Sequence, residues 1–440
     1  MNHVPQQALW ALDALSAAGH EAWLVGGCVR DSLLGRQPND YDLTTSASVE
    51  EMLAVFMGER VIETGLKHGT VTLLKAGMLL EITTYRSPEG GVLTLREDLR
   101  HRDFTLNAIA WHPEQGLQDP FGGVEDVRNG ILRAVENPDA RLTEDPLRVL
   151  RAVRFVSAFG LEMDARTQEA VLRHAPLLAQ VSVERVAAEF VKLLLGDHVR
   201  RALMDFVEVL EVFIPGALAM KGFDQRNFHH IYDVLEHTAV AVEHMPKDPV
   251  LRLAAFFHDI GKPPSFFTDE AGVGHFYGHP AVSAKMADEA LRDLKMDNFT
   301  RERVVKLVEQ HDRIILPKKT AVRRALSKLT PEVFDQLILL KRADNFAQAP
   351  EFRDRQKELD ELERLRDEIL EDGECLSLKD LALNGRDLIA LGLAPGPAVG
   401  RTLDRLLEKV ISGKLPNTRE ALTAFVQNHP VSDGRKKGIE

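Results

Sequence analysis

Two aspartates one residue apart carry the sharpest chemical signal in this chain. In the segment NDYDLTT, Asp40 and Asp42 flank Tyr41, and the run predicts a strand over 40–44. Side chains on a strand repeat their direction every second residue, so both carboxylates share a face, roughly 6.6 Å apart along the backbone. Two like charges side by side repel unless a cation joins them. Oxygen donors of this kind suit Mg2+, and a pair of such ions lowers the pKa of an attacking hydroxyl and neutralises a leaving phosphate. Asp-x-Asp alone is commonly a capping or loop pair; its context gives it weight here. Upstream, AWLV (22–25) predicts a buried strand running into Gly26-Gly27, and residues 28–34 predict a short helix stopped by Gly35. Glycines permit close backbone approach and free helix N–H groups attract anions, so this turn can cradle phosphate, with Arg30 within reach. Glu81, in the predicted strand LLEITTYR, is the candidate third carboxylate.

A second constellation lies further on. His237 falls in one apparent helix, His258-Asp259 ends the next, His279 precedes a helix opening at Pro280, His311 ends another, and Asp344 sits in a fifth. Imidazoles with carboxylates suit one or two divalent transition metals. Lys262 follows closely. His229, His230 and His275 fit no ligand set and read as satisfied or solvent-facing histidines.

The elements that must position these residues fall into two kinds. Residues 70–75 and 78–86 alternate as a hairpin about Ala76-Gly77, and 131–135 read as a last strand. From about Asp145 the pattern turns helical, over 146–159, 164–174, 183–195 and 199–213. The charged stretch 352–372 reads as a solvated helix with i,i+4 ion pairs. Residues 378–427 read as short helices with glycine stops at Gly385, Gly392 and Gly396, before a frayed tail, 432–440. No internal repeat is evident. A small α/β domain followed by an all-helical remainder is the implied layout.

With 440 residues the chain has room for two to four domains. Its 44% hydrophobic and 28% charged composition excludes disordered, collagenous and coiled-coil classes. No apolar run reaches a membrane span, so no membrane partner is expected. The N-terminus lacks a basic region and carries Asp13, against a signal peptide. Two cysteines, Cys28 and Cys375, make no disulfide framework, which fits a reducing cytoplasm. The net charge of −12 argues against a wholly basic nucleic-acid footprint but leaves room for a local basic groove.

Such a groove is suggested by TEDPLRVLRAVRF (143–155). Thr143 suits a helix cap and Pro146 its first turn. Arg148, Arg151 and Arg154 recur every three residues as a ridge, left basic because Glu144 and Asp145 gather at the N-terminal end.

Taken in order, the motifs form a family pattern. Gly-Gly-x-Val-Arg-Asp-x-Leu-Leu-Gly followed by Asp-x-Asp resembles the first motif of the class II tRNA nucleotidyltransferases, a branch of the polymerase-β-like superfamily that includes CCA-adding enzymes and bacterial poly(A) polymerases. RHRDFTLNA (100–108) resembles the family's ribose-recognising motif, with Arg102 and Asp103 implied at the sugar and Asn107 at the nucleotide; His101 stands where the family more often has a second arginine. DPFGG (119–123) resembles the hinge between head and neck. Residues 143–155 resemble the amino-acid template, in which Asp145 and Arg148 would read the Watson–Crick edge of the incoming base while Arg151 and Arg154 face phosphates or support the pair. A carboxylate accepts from an exocyclic amine and an arginine donates to a ring nitrogen and carbonyl, so a protein pair can stand in for a template base. SVERVAAEFVKLL (182–194) resembles the helix that braces it. The His…His-Asp…His…His…Asp order resembles the HD superfamily of metal-dependent phosphohydrolases.

The resemblance implies a nucleotidyltransferase head at 1–140, a helical neck at 141–222, an HD domain at 223–348, and a helical body and tail at 349–440 that grips tRNA. It implies two-metal phosphoryl transfer from CTP with Mg2+ on Asp40 and Asp42. Only residues 87–101 separate Tyr85-Arg86 from Arg102, too few for the flexible lever that reshapes the pocket from C to A in full CCA-adding relatives. A switch needs a mobile element with two arrangements. CC addition, completed by a separate A-adding enzyme, is therefore the favoured reading. The alternatives are full CCA addition with CTP and ATP, A addition or poly(A) synthesis, an HD-type nucleotide phosphohydrolase whose head only binds nucleotide, and a non-catalytic RNA-binding protein.

Overall fold

The computed structural model describes residues 4–62, 69–85, 94–226 and 230–429. The chain divides into two compact units, Met1–Leu218 with Arg292–Met296, and Ala219–Leu291 with Asp297–Glu440.

The first unit is built on a mixed sheet of β1 (Ala22–Val25), β2 (Tyr41–Thr45), β3 (Arg60–Ile62), β4 (Thr70–Lys75), β5 (Met78–Thr84), β6 (Ala110–His112) and β7 (Gly116–Gln118). Their order is β3-β4-β5-β2-β1-β6-β7. Among the described residues of this sheet only the β2–β5 pair is parallel. The β4–β5 turn places Ala76 (φ 47°) and Gly77 (φ 81°) in the left-handed region, the paired geometry that matches strand twist in a two-residue hairpin. One face of the sheet packs Trp23, Val25, Tyr85, Leu99, Ala108, Ala110 and Val135 together.

Three expectations shift. The strand begins at Tyr41, so Asp40 lies just outside it, exposed. The expected strand over 131–135 ends at Leu132, pairs in parallel with Glu162–Met163, and does not join the main sheet. Its continuation is committed elsewhere: Arg133 bridges Asp126 and Asp164, and the Ala134 amide donates to Thr167 Oγ1. Thr143 caps nothing. It sits inside a helix, Pro138–Glu144, and donates to the Asp139 carbonyl. The helix that bears the arginine ridge, Leu147–Phe159, is entered through an extended Asp145 whose Oδ1 accepts from the Leu147 amide, and it ends at Gly160 in the left-handed region (φ 68°). Residues 86–93, which include the first seven of the fifteen residues compared above with the family's lever, lie outside the described residues; Thr94 then caps the helix Leu95–Arg100.

Among the described residues, the second unit is helical apart from a short hairpin, Phe267–Thr268 with Gly274–His275. Asp233, Asp248 and Asp297 each cap a helix by accepting a backbone N–H, and these helices present His237, His258 and His311. The charged helix, Arg355–Glu371, is not simply solvated. Leu359, Leu362, Leu365 and Ile369 recur along one face and are buried with Val322, Leu326, Phe334 and Ile338, while the outer face keeps ion pairs such as Arg364–Glu361. Of the three glycines expected as stops, only Gly392 follows a helix; Gly385 opens one and Gly396 (φ 136°) leads into Pro397–Ile411. The tail 432–440 and His229 lie outside the described residues.

Candidate active site and metal cluster

The parallel register of β2 and β5 sets Asp42 opposite Glu81. Asp42 is partly buried, and its carboxyl is pushed up to about 6 by burial, then by the charges of Glu81 and Asp40, against the pull of Arg102 and Arg30. Three carboxylates with only oxygen to offer fit a hard cation such as Mg2+. Among the described residues their oxygens do not converge on one point, since the groups whose ligand atoms lie within 4.8 Å of one another are found elsewhere.

Beside Asp42 opens a cavity of about 400 Å³ lined by Gly26, Gly27, Arg30, Arg102, Asp103 and Asn107 together with Asp145, Arg148, Arg151 and Arg154. All ten residues expected at the nucleotide come together here; Asp40 and Glu81 are not on the wall. Gly26 precedes the helix Gly27–Leu33 at φ +71°, and a Cβ there would stand 3.0 Å from Arg102 Nη1. Arg30 donates to Asn107 Oδ1 (2.8 Å) and lies 4.7 Å over the Phe159 ring. Arg102 pairs with buried Asp98 (3.2 Å). Asp103 has its oxygens filled: Oδ1 accepts from the Phe104 amide and Asn107 Nδ2, both at 2.8 Å, and Oδ2 from Arg151 Nε (3.0 Å) and Nη2 (2.6 Å). Despite its burial, the Arg151 charge and these donors hold its carboxyl well below the usual range.

The arginine ridge is not a bare basic face. Arg148 donates to Glu144 (2.7 Å), to the Arg141 carbonyl (3.0 Å) and to the His101 carbonyl (2.7 Å). Arg151 is held by Asp103, and Arg154 by Glu189 from the helix Val183–Leu194. His101 is buried behind the wall, its Nδ1 3.1 Å from Glu144 and 3.0 Å from Arg141. Sequence reasoning missed Phe155 and Arg185 on the wall. Arg185 donates to Asp145 Oδ2 (2.9 Å). Its signal was present in ERVAAE, where Arg185 and Glu189 are four apart and share a helix face.

In the second unit, all six expected ligands meet. His237, His258, Asp259 and Asp344 form one group; Asp259, His279 and His311 form another, so Asp259 belongs to both. His237 Nε2 lies 2.9 Å from Asp344 and 3.3 Å from Asp259 Oδ2, while His279 Nε2 lies 3.3 Å from Asp259 Oδ1 and 3.1 Å from His311 Nε2. Each Nδ1 faces a backbone carbonyl: Ala347 for His237, Ala255 for His258, Phe276 for His279 and Val308 for His311. A proton on each Nδ1 leaves each Nε2 lone pair turned inward, the tautomer a metal requires. Buried Asp259 Oδ2 has no well-aligned hydrogen bond, although Lys262 Nζ is 2.6 Å away. Mixed nitrogen and oxygen donors fit a borderline divalent ion rather than Ca2+. His230, beside His237, is pushed down to about 3 by burial and by Lys262; it is not in either group.

Three family profiles match: "Poly A polymerase head domain" over residues 22–133, "Probable RNA and SrmB- binding site of polymerase A" over 160–220, and "tRNA nucleotidyltransferase domain 2 putative" over 276–426. The CCA-adding enzymes of Lactobacillus helveticus and Geobacillus stearothermophilus are 32% and 33% identical, each alignment covering 96% of this chain and 96% of the relative. The crystal structure of the Bacillus stearothermophilus CCA-adding enzyme in complex with CTP superposes with a TM-score of 0.76 at 30% identity, again over 96% of each chain. No helix among the described residues is long and apolar enough to cross a membrane. With a polymerase-type head, a wall of paired arginines beside an acidic strand, and relatives matched end to end, the chain belongs to the CCA-adding enzyme family of tRNA nucleotidyltransferases.

Proposed function

We propose that the first-unit cavity binds CTP and transfers CMP to a tRNA 3′ end without a nucleic-acid template. The observation that carries this is the cavity itself, which gathers Asp42, the Gly26-Gly27 turn, Asp145 and the arginine wall. Kinship to a relative solved with CTP supports the nucleotide. Mg2+ held by Asp40 and Asp42, with Glu81 beside them, would activate the primer 3′-OH and neutralise the departing pyrophosphate. Arg30 and the Gly26-Gly27 amides receive the phosphates. Arg148 has spent Nη1 on Glu144 and the Arg141 carbonyl and one Nη2 hydrogen on the His101 carbonyl, which leaves Nε–H and the other Nη2–H as a fork. That fork fits the adjacent O2 and N3 acceptors of cytosine, with Asp145 accepting from the N4 amine.

CC addition is the endpoint we favour, on the short span between Tyr85 and Arg102; a separate A-adding enzyme would then finish the tRNA. Full CCA addition is the second reading, favoured by relatives named CCA-adding enzymes along their whole length. Sizing the product on a sequencing gel with CTP and ATP together decides between them: extension by two residues supports the first, by three the second, and by none refutes both.

The domain reading is a head (1–140), a neck carrying the template (141–222), an HD-type domain (223–348), and a body and tail (349–440) that contact tRNA through phosphates and shape. For the second unit we propose a metal-dependent phosphohydrolase site of HD type, its one or two ions held by His237, His258, Asp259, His279, His311 and Asp344. Such ions would polarise a phosphoryl oxygen and activate water.

A further inference from the structure

In RAVRFVSAFG, Arg151, Phe155 and Phe159 are four residues apart and share one helix face. The two rings stack at 5.6 Å and 20°. Phe155 is buried with its edge against Phe104, and core packing accounts for it. Phe159 is different. It is the last residue of the helix Leu147–Phe159, it is half-buried, and it is not on the cavity wall. Besides Phe155, its ring meets two guanidiniums from far upstream, Arg30 at 4.7 Å and Arg36 at 4.8 Å. Arg30 presses against the glycine turn, where a Cβ on Gly27 would stand 3.6 Å from its Nη2. Its in-plane partners are Asp31 Oδ1, 2.8 Å from both Nε and Nη2, and Asn107 Oδ1, 2.8 Å from Nη1. A guanidinium has five N–H donors, so these partners leave one hydrogen on each Nη nitrogen. Asp31 and Asn107 hold the edge of the group, and the Phe159 face sets its tilt. Arg36 is exposed and makes no ion pair among the described residues. Two cations gathered on one ring repel each other, a cost that an arriving anion would offset.

We propose that Phe159 is a positioning residue for triphosphate recognition: its ring fixes the plane of the Arg30 guanidinium and holds Arg36 beside it, so that two cations stand together on the phosphate side of the cavity. A cation held against a ring face keeps its charge and gives up freedom, and the attraction is greatest where water is excluded. The ligand then has less ordering to impose. With the cavity read as a CTP site and Arg30 at its phosphates, on which this rests, phosphate affinity depends on a side chain that touches no ligand. Phe159 has no part in reading the base.

Primer extension by the full-length protein, on tRNA lacking its 3′ end, gives KM for CTP and the inhibition constants of pyrophosphate and CMP. Phe159→Leu is expected to raise KM for CTP and to weaken pyrophosphate inhibition, each roughly five- to thirtyfold, while kcat and the CMP inhibition constant stay within about threefold. Phe159→Tyr keeps the ring face and should behave as wild type. Phe159→Met fills the space without a ring face and replaces the leucine variant if thermal unfolding shows that variant to be misfolded. Arg36→Gln should weaken pyrophosphate inhibition less in the Phe159→Leu background than in wild type, because both act through one contact; full additivity overturns the Arg36 contact. Equal weakening of CTP and CMP marks a general loss of structure and overturns the positioning role, as does an unchanged Phe159→Leu or a Phe159→Tyr that matches it. Arg30→Ala separates this role from the reading beneath it. Selective loss of CTP and pyrophosphate affinity in Arg30→Ala, with Phe159→Leu unaffected, overturns the positioning role and leaves Arg30 at the phosphates. Unchanged affinities in Arg30→Ala overturn both.

Discussion

Asp103 is the residue whose replacement most cleanly separates two roles. The family resemblance places it at the ribose, yet its four acceptor positions are already occupied by the Phe104 amide, Asn107 and the two Arg151 donors. We expect it to act by holding Arg151 on the cavity wall. Removing one partner of a buried ion pair costs about 3–5 kcal/mol. Asp103 is 7% exposed, but the Arg151 side chain is 32% exposed, with Glu189 at 3.9 Å to take up part of its charge. Asp103→Asn also keeps the shape and some hydrogen bonds, so a loss of about 2 kcal/mol is the working figure. In a unit of this size each kcal/mol moves Tm by about 2–4 °C, giving a fall of roughly 4–8 °C. The pH dependence follows from the depressed carboxyl. Because its folded pKa is below the unfolded value near 3.9, the contribution is fully present above about pH 5 and is lost as pH falls through the folded pKa. The stability gap between wild type and Asp103→Asn should therefore close in acid. Functionally, kcat/KM for CTP and dCTP should fall together, leaving their ratio within about threefold. A hydrogen bond from the 2′-OH to a charged acceptor is worth about 1.5–3 kcal/mol. A collapse of the CTP/dCTP ratio by tenfold or more would show direct sugar contact and refute the positioning argument.

Asp42→Ala should reduce CMP incorporation to background in a primer-extension assay while leaving metal uptake by the second unit unchanged; substantial residual incorporation rejects the Mg2+ assignment. His258→Ala should lower Co2+ uptake and abolish the Tm loss that a chelator causes in wild type, with CMP incorporation spared; loss of incorporation in folded protein contradicts the separation of the two sites. Gly123→Ala places a Cβ 2.1 Å from the Thr105 carbonyl oxygen and 2.8 Å from Ile109 Cγ1. Overpacking of that kind costs about 1–3 kcal/mol, read as a lower urea midpoint at unchanged slope, and an unchanged midpoint would show that the backbone yields freely there.

What the sequence discloses here depends on how local the cause is. Residues 22–25, 70–75 and 183–194 form the elements expected of them, because a short apolar run, alternation and 3.6-residue spacing respectively decide them within one segment. β6 and β7 were not expected: three residues each, in AWHPEQGLQ, offer too little alternation beside proline and glycine, and the pairing of β6 with β1 and of β7 with β6 supplies what the segment lacks. The ten nucleotide-site residues were legible by type and order. Their partners were not, because Asp103–Arg151 and Glu189–Arg154 join residues 48 and 35 apart through tertiary packing. The histidine ligands were likewise legible, but the four carbonyls that face Nδ1 are backbone atoms, invisible to residue identity.

The net charge of −12 and the arginine wall are reconciled by the same pairing. Six arginines and three aspartates line the cavity, and further carboxylates, Asp98, Glu144 and Glu189, stand behind them. A ridge of unpaired arginines would repel itself and keep its side chains mobile, and a ligand would have to order each one. Paired to fixed carboxylates, the guanidiniums are already oriented, and on the lining itself, the surface a triphosphate would meet, arginines outnumber aspartates six to three. The acids thus lower the raw attraction for anions while raising the fidelity of the donor array. In the proposed base-reading role, an incoming base would have to satisfy the two Arg148 hydrogens left over after Glu144 and the carbonyls of Arg141 and His101 have taken theirs. Uracil presents an N3–H where cytosine has an acceptor, which leaves one of those hydrogens without a partner, and it presents a carbonyl to Asp145 where cytosine offers an amine. Discrimination on this argument is a property of the unsatisfied donor and the repelled carboxylate, and it belongs to the pairing network as much as to Asp145 and Arg148 themselves.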